Sequence, residues 1–527
     1  MKQRTKASQH SSKLLLALSI FVLVILVRIN YSILPFTWPD EALFSSPALE
    51  LAEGRVFSTR VLSGLIHGMD RATLWNGPLY MVLLSGVYAF TGESQLAGRT
   101  FSLLLGAGTL CIFFLLTRRL TAPFAAAVAT FALALDPVFQ RAANTIRMDI
   151  LTLLLLLTSV YLLVRASADT PSIKEPFPDS RNRSRWLGVF LAGIAAGLAG
   201  TSHPFAVIAV PILFVLLFPN WKELILAAIG TIIGFAPWGL YILGNLDLFK
   251  EQFIPQLVRK ESFLRMLTGG ETGGVLKVYF SQYGFSHGSW PAMVIGGLLY
   301  SFVVLLVLAF LHKRFWSKSE FRAPSTRILI CFLIISGFAL LSSEGWYVVY
   351  GDVFLILVVA ILWHTQLTFD FHRFIDTPLN LLTKFSLPIT ICAMFFLSGY
   401  YTIRHRLLKT TETAQTFLES TIKATAQCES VYVRIRPDPY FLFRRERPEM
   451  RVLEFIPGKL KIKPERMHDL IATLDSVDCF LIDRNKSWEP LLTSYLYDRS
   501  SRFQVRPIRT QFPVDDVDLY IRKKHGH

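Results

Sequence analysis

The 527-residue chain is 52% hydrophobic and 13% aromatic, and only 17% of its residues are charged. A water-soluble protein of this length carries far more charge, so the bilayer is the solvent for most of the chain. The formal charge of +16 does not point to nucleic acid, because Lys and Arg gather in short loops between apolar blocks and in the tail, which is the positive-inside pattern.

The first apolar run, about 14–34, follows the basic stretch 1–13. No small-residue cleavage site follows it, so it reads as an uncleaved anchor with a cytoplasmic N-terminus. Arg28 lies well inside this run and is expected to snorkel outward. Further long runs occupy about 99–117, 121–136, 148–165, 185–200, 203–218, 222–243, 291–312, 326–342, 346–364 and 384–402, with a shorter one at 78–90. Three loops carry Arg118 and Arg119, then Arg181, Arg183 and Arg185, then Lys313, Arg314, Lys318 and Arg322, which makes them cytoplasmic. A span at 78–90 would move Arg118 and Arg119 outside, so that run is expected to be re-entrant or to lie at the interface. Eleven crossings remain, and the odd count puts the tail outside.

From about Arg404 the apolar runs shorten and charges multiply. Residues 411–426 and 464–474 read as amphipathic helices, and 430–436, 478–483, 503–509 and 517–523 read as strands. The expected fold is mainly α: a polytopic transmembrane helical bundle of about 11 to 13 helices over 1–403, with amphipathic helices in the first external loop, then a small extracytoplasmic α/β domain over 404–527. Cys111, Cys331 and Cys392 fall in apolar runs and read as packing residues. Cys428 and Cys479 lie in the tail, where an extracytoplasmic location would permit a disulfide; the sequence leaves this open.

In this topology the ionisable residues nearest the apolar runs recur at external helix ends: Asp40, Glu41, Arg99, Arg141, Arg147, Asp149, His203, Arg259, Lys260 and Glu344. Charge at membrane depth costs several kcal/mol and normally marks a pathway or a site. Polar external loops are the plainer explanation. The first external loop carries the sharpest signal: Trp38-Pro39-Asp40-Glu41-Ala42, an apolar helical pattern to Glu53, then Trp75-Asn76-Gly77-Pro78-Leu79-Tyr80.

In these residues the chain resembles the C-type glycosyltransferase superfamily, in particular the bacterial branch related to protein O-mannosyltransferases and to the aminoarabinose transferase of lipid A. Members carry an acidic pair after the first helix, a small-residue helix ending in Gly (here 48–54), and a His/Asn-x-Pro-Leu-Tyr segment. An Arg before the next helix follows, here Arg99, and then an Arg-x-Asp motif, here Arg147-Met148-Asp149. The architecture is shared over about the first 400 residues, with the motifs chiefly in the first 210.

The resemblance implies transfer of a sugar, with inversion, from a polyprenyl-phosphate-linked donor to an acceptor hydroxyl of a glycan, lipid or protein at the outer face of the plasma membrane. Such a reaction needs a carboxylate to take the acceptor proton and donors or positive charge for the leaving phosphate. By resemblance Asp40 is the base and Glu41 its catalytic neighbour, Asp149 is a second site carboxylate, and Arg147 pairs with it or reaches the phosphate. His203 is implied at the phosphate and Tyr347 at the substrate, with Arg99, Asn76 and Tyr80 as further substrate-binding residues. Each acid also reads as an ordinary helix cap or first-turn acid, and a turn histidine is commonly structural. Arg259 and Lys260, in an aromatic-rich external loop, are expected to bind the leaving phosphate. There is no His/Cys metal spacing, Walker loop or GxGxxG after a strand, so neither a metal site nor a nucleotide-sugar donor is expected. A divalent cation between Asp40 and Asp149, as in the oligosaccharyltransferase branch, is not favoured, and no cofactor is expected. The alternatives are a glycolipid transporter or flippase, which tends to show internal repeats and midplane charge, and a non-catalytic membrane scaffold with a cell-wall-binding tail.

Overall fold

The computed structural model describes residues 2–28, 37–168, 179–255, 290–314, 323–341, 345–368, 377–403, 411–454, 464–484, 490–508 and 517–523. The apolar runs form helices α1 (Lys2–Arg28), α4 (Gln95–Leu120), α5 (Pro123–Leu135), α7 (Asp149–Ala168), α8 (Asp179–Ser202), α9 (Ala209–Leu217), α10 (Trp221–Gly244), α12 (Trp290–Arg314), α13 (Pro324–Leu341), α14 (Val348–Thr368) and α15 (Thr377–Thr402). Shorter elements lie between them: α2 (Pro39–Ala52), α3 (Leu79–Thr91), α6 (Pro137–Ala142) and α11 (Leu246–Gln252). Among the described residues, eight helices are long and apolar enough to cross a hydrocarbon core; α5, α9 with the 3-10 turn before it, and α13 are the shorter ones among the runs expected to cross. The chain is a multi-pass membrane protein.

Position in the bundle follows the apolar pattern. Every residue from Val348 to Leu362 of α14 is buried, as expected of a helix apolar all round. Helix α10 instead leaves Ile225, Ile229, Ile232, Ile233, Leu240 and Leu243 exposed, a lipid-facing stripe. Its other face carries Gly230 and Gly234 against Gly193 and Gly197 of α8, where an added Cβ at each would strike the partner's backbone. This is small-xxx-small packing, which lets two membrane helices approach to backbone contact.

Helix α3 is short for a span. Its 13 residues rise about 20 Å, short of a hydrocarbon core of roughly 30 Å, and both its ends are held at one end of the bundle. Gly77, just before it, lies against the carbonyls of Thr201 and Ser202, and Glu93, just after it, accepts from Tyr440 and Arg444 of the tail.

The tail folds as expected, with three additions. Helices α16 (Thr411–Ala424) and α18 (Pro464–Asp475) and strands β1 (Ser430–Arg434), β3 (Cys479–Asp483), β4 (Phe503–Ile508) and β5 (Val517–Arg522) match the sequence pattern. The additions are α17 (Tyr440–Glu446), β2 (Arg451–Glu454) and α19 (Pro490–Asp498). The sheet order is β2-β1-β3-β5-β4, with β1 parallel to β2 and β3, and β5 antiparallel to β3 and β4. A disulfide joins Cys428, two residues before β1, to Cys479 at the start of β3.

Helix α2 has no solvent-exposed stripe: every residue from Glu41 to Glu50 is buried. Its Ala42 and Leu43 join a core with Val431, Val433 and Val452 of the tail sheet. Phe44 and Ala48, on another face, pack with Tyr80, Met81, Ile146 and Met148. The tail covers the side that the sequence pattern leaves to solvent.

Candidate active site

The site is built on the first turn of α2. Trp38 is its N-cap, in extended conformation, with Pro39 at the first helical position, where a missing N–H costs nothing. Glu41 closes a capping box by accepting from the Trp38 N–H at 3.2 Å. The same carboxylate takes a bidentate grip from Arg99 of α4, at 2.7 and 3.0 Å, and the Ile146 N–H at 3.2 Å. Neither Glu41 nor Arg99 is exposed. Both Glu41 oxygens are engaged, which suits a strut between α2, α4 and the start of α7 better than proton transfer. Asp40, one residue earlier, keeps 32% of its side chain exposed.

Asp40 pairs with Nη1 of Arg147. The Nε of the same guanidinium donates to Asp149 Oδ2 at 2.8 Å, so Arg147 bridges the two acids. Asp149 is 2% exposed, and its other oxygen has no hydrogen-bond partner among the described residues. An unsatisfied buried carboxylate oxygen costs of order 1–3 kcal/mol or more, and native structures tend to keep such a group where it serves a site. Arg147 also lies 4.2 Å from the Trp346 ring centroid, and Arg141 lies 4.6 Å from it. Burial lowers Arg141 to about 10, so it stays charged at neutral pH.

His203 follows α8 directly and caps the 3-10 turn Pro204–Ile208 by accepting the Phe205 N–H on Nδ1 at 2.9 Å. That bond leaves the proton on Nε2, which faces Tyr347 Oη at 3.3 Å. Phe205 then stacks on Tyr350, whose hydroxyl donates to the Asp149 carbonyl at 3.3 Å. Through these rings His203 and Tyr347 are tied to the acids at one end of the bundle. The arrangement brings Asp40, Glu41, Arg99, Arg147, Asp149, His203 and Tyr347 together.

Other expected residues stand apart from the opening. Tyr80 is fully buried and hydrogen-bonds Ser102 at 2.8 Å, within the core that holds α2. Asn76 is 9% exposed and lies in the turn that packs on Thr201 and Ser202. Arg28 sits at the end of α1 and donates to Thr100 at 2.7 Å. Arg259, Lys260 and Glu344 lie outside the described residues. The sequence reading assigned no role to Trp38, Trp346, Arg141 or Tyr350, nor to Asp352, an acid with no exposed surface inside α14. A lone acid within the apolar run 346–364 was the signal for Asp352; Trp38 and Trp346 each lie close to a residue that was singled out, Asp40 and Tyr347.

Residues 76–241 match the family model described as dolichyl-phosphate-mannose-protein mannosyltransferase. No curated protein matches the sequence. Among solved structures, ArnT from Cupriavidus metallidurans bound to undecaprenyl phosphate aligns with a TM-score of 0.57 at 12% identity, over 97% of this chain and 98% of that one. The oligosaccharyltransferase of Archaeoglobus fulgidus, tethered with an acceptor peptide, aligns with a TM-score of 0.51 at 11% identity, over 90% of this chain and 69% of that one. The family and structural matches are to glycosyltransferases, and the chain has the fold of the C-type membrane enzymes, as its sequence motifs suggest.

Proposed function

We propose that the chain is an integral membrane glycosyltransferase that moves a sugar from a polyprenyl-phosphate-linked donor to an acceptor hydroxyl at the outer face of the plasma membrane, with Asp40 as base. The observation that carries this reading is the bridge by Arg147 between a part-exposed acid, Asp40, and a buried one, Asp149. In the proposed step the acceptor O–H gives its proton to Asp40 while the oxygen attacks the anomeric carbon. The bond from that carbon to the phosphate oxygen breaks with inversion, and the lipid phosphate leaves with the electron pair. Arg147 and Arg141, on the Trp346 ring, are placed to receive the phosphate charge. The structure of ArnT with undecaprenyl phosphate supports a donor of this class.

Glu41 acts in this scheme by position, fixing the turn that presents Asp40. A guanidinium stands where a divalent cation would bridge Asp40 and Asp149, which supports a metal-independent reaction. Mass spectrometry of envelope glycans, lipids and proteins with and without the gene identifies the acceptor. Loss of one sugar from one class supports the reading, and an unchanged envelope argues against it.

A further inference from the structure

The tail and the catalytic turn meet at Trp38. The Arg436 guanidinium, just beyond β1, lies 3.7 Å from the Trp38 ring centroid. Trp38 meets Trp346 edge to face with centroids 5.4 Å apart, and Trp346 carries Arg147, which holds Asp40. Backbone fastens the same place: the Asp438 N–H donates to the Thr37 carbonyl at 3.0 Å. The Trp38 carbonyl accepts the Glu41 N–H at 2.9 Å, so this residue opens the helical turn that presents the base.

We propose that Arg436 is a positioning residue of the site, and that the tail acts in the reaction by clamping Trp38 through it. Trp38 is half-buried at the helix start, with Arg436 over its ring and Trp346 meeting it edge to face. A flat guanidinium stacks on an indole face, which the compact ammonium of lysine does less well. The inference rests on Asp40 being the base. Arg436 acts on Asp40 through Trp38, which opens the turn that presents it, so its loss lowers the rate of transfer more than it weakens lipid-phosphate binding.

The test uses the full-length chain in its own membrane, reading the envelope modification that gene deletion removes, with folded protein quantified after extraction and undecaprenyl phosphate as the binding probe. Cation–π contacts of this kind predict that Arg436→Gln lowers transfer roughly five- to tenfold, with a smaller change in undecaprenyl phosphate affinity. Arg436→Lys is expected to fall between the two. In a Trp38→Leu background Arg436→Gln adds little further loss, because both changes remove one contact. Independent, multiplying losses from the two changes would overturn the proposal, as would wild-type transfer by Arg436→Gln. If Arg436→Gln does not accumulate, Arg436→Lys decides alone, and wild-type transfer by it contradicts the clamp. Asp40→Asn separates the two claims: if it transfers normally the base assignment fails, whereas if it is inactive and Arg436→Gln is normal only the clamp fails.

Discussion

Glu41 and Arg99 form a two-point ion pair with neither side chain exposed to solvent. Two further N–H groups, from Trp38 and Ile146, complete the carboxylate. Removing one member of such a pair strands a buried charge, which costs about 3–5 kcal/mol. Glu41→Ala and Arg99→Ala are therefore expected to lower the yield and thermal midpoint of the extracted protein sharply. Folded yields equal to wild type would show that the pair does not support α2.

Gly77 is required for close approach. A Cβ there would strike the Thr201 and Ser202 carbonyls, which are backbone and cannot swing away. Gly77→Ala is expected to cost about 1–3 kcal/mol and to displace the turn preceding His203. Thermal unfolding in detergent reads the first effect, and reduced transfer with a folded protein reads the second.

The bundle was legible in the sequence because membrane helices announce themselves by length and apolar content. The grouping of Asp40, Arg147, Asp149 and His203 at one end followed from the parity of the expected crossings. What could not be read was contact across distant sequence. Glu41 looked catalytic because it neighbours Asp40, and only the positions of Arg99 and Ile146 show that its oxygens are taken. Helix α2 looked amphipathic because its second cover, the tail sheet, lies nearly 400 residues later. The Arg436 contact with Trp38 was invisible for the same reason.

The disulfide reports sidedness. Cys428 and Cys479 close a 51-residue separation, and structural bonds of this kind form and persist chiefly in oxidising compartments. If the tail is extracytoplasmic, a maleimide reagent added to denatured, unreduced protein labels Cys111, Cys331 and Cys392 but not this pair. Labelling of all five cysteines in freshly lysed cells would place the tail inside. Replacing both cysteines with Ser is expected to cost about 2–5 kcal/mol of tail stability.

Asp438, next to the backbone contact with Thr37, is buried, and burial pushes its carboxyl from 3.8 up to about 7. A hydrogen bond from the Tyr440 N–H and one with Glu454 pull the other way, and the charge of Glu41 adds to the rise. A raised folded value in an acid means that its stabilising contribution is complete below about pH 3.8 and is lost as pH rises through about 7. The apparent melting temperature of the purified chain is therefore expected to fall between about pH 4 and pH 7 and to level off above that. Asp438→Asn should flatten that fall; an unchanged slope would remove Asp438 as its source.

The central claim is that Asp40 takes the acceptor proton. Its most direct measurement is the transfer rate of purified Asp40→Asn against wild type, once the acceptor is identified, with undecaprenyl phosphate binding measured on both. Removing a general base predicts a rate lower by about 100- to 10,000-fold, with the lipid phosphate still bound and the protein still folded. Transfer within a few-fold of wild type by a folded Asp40→Asn would contradict the account.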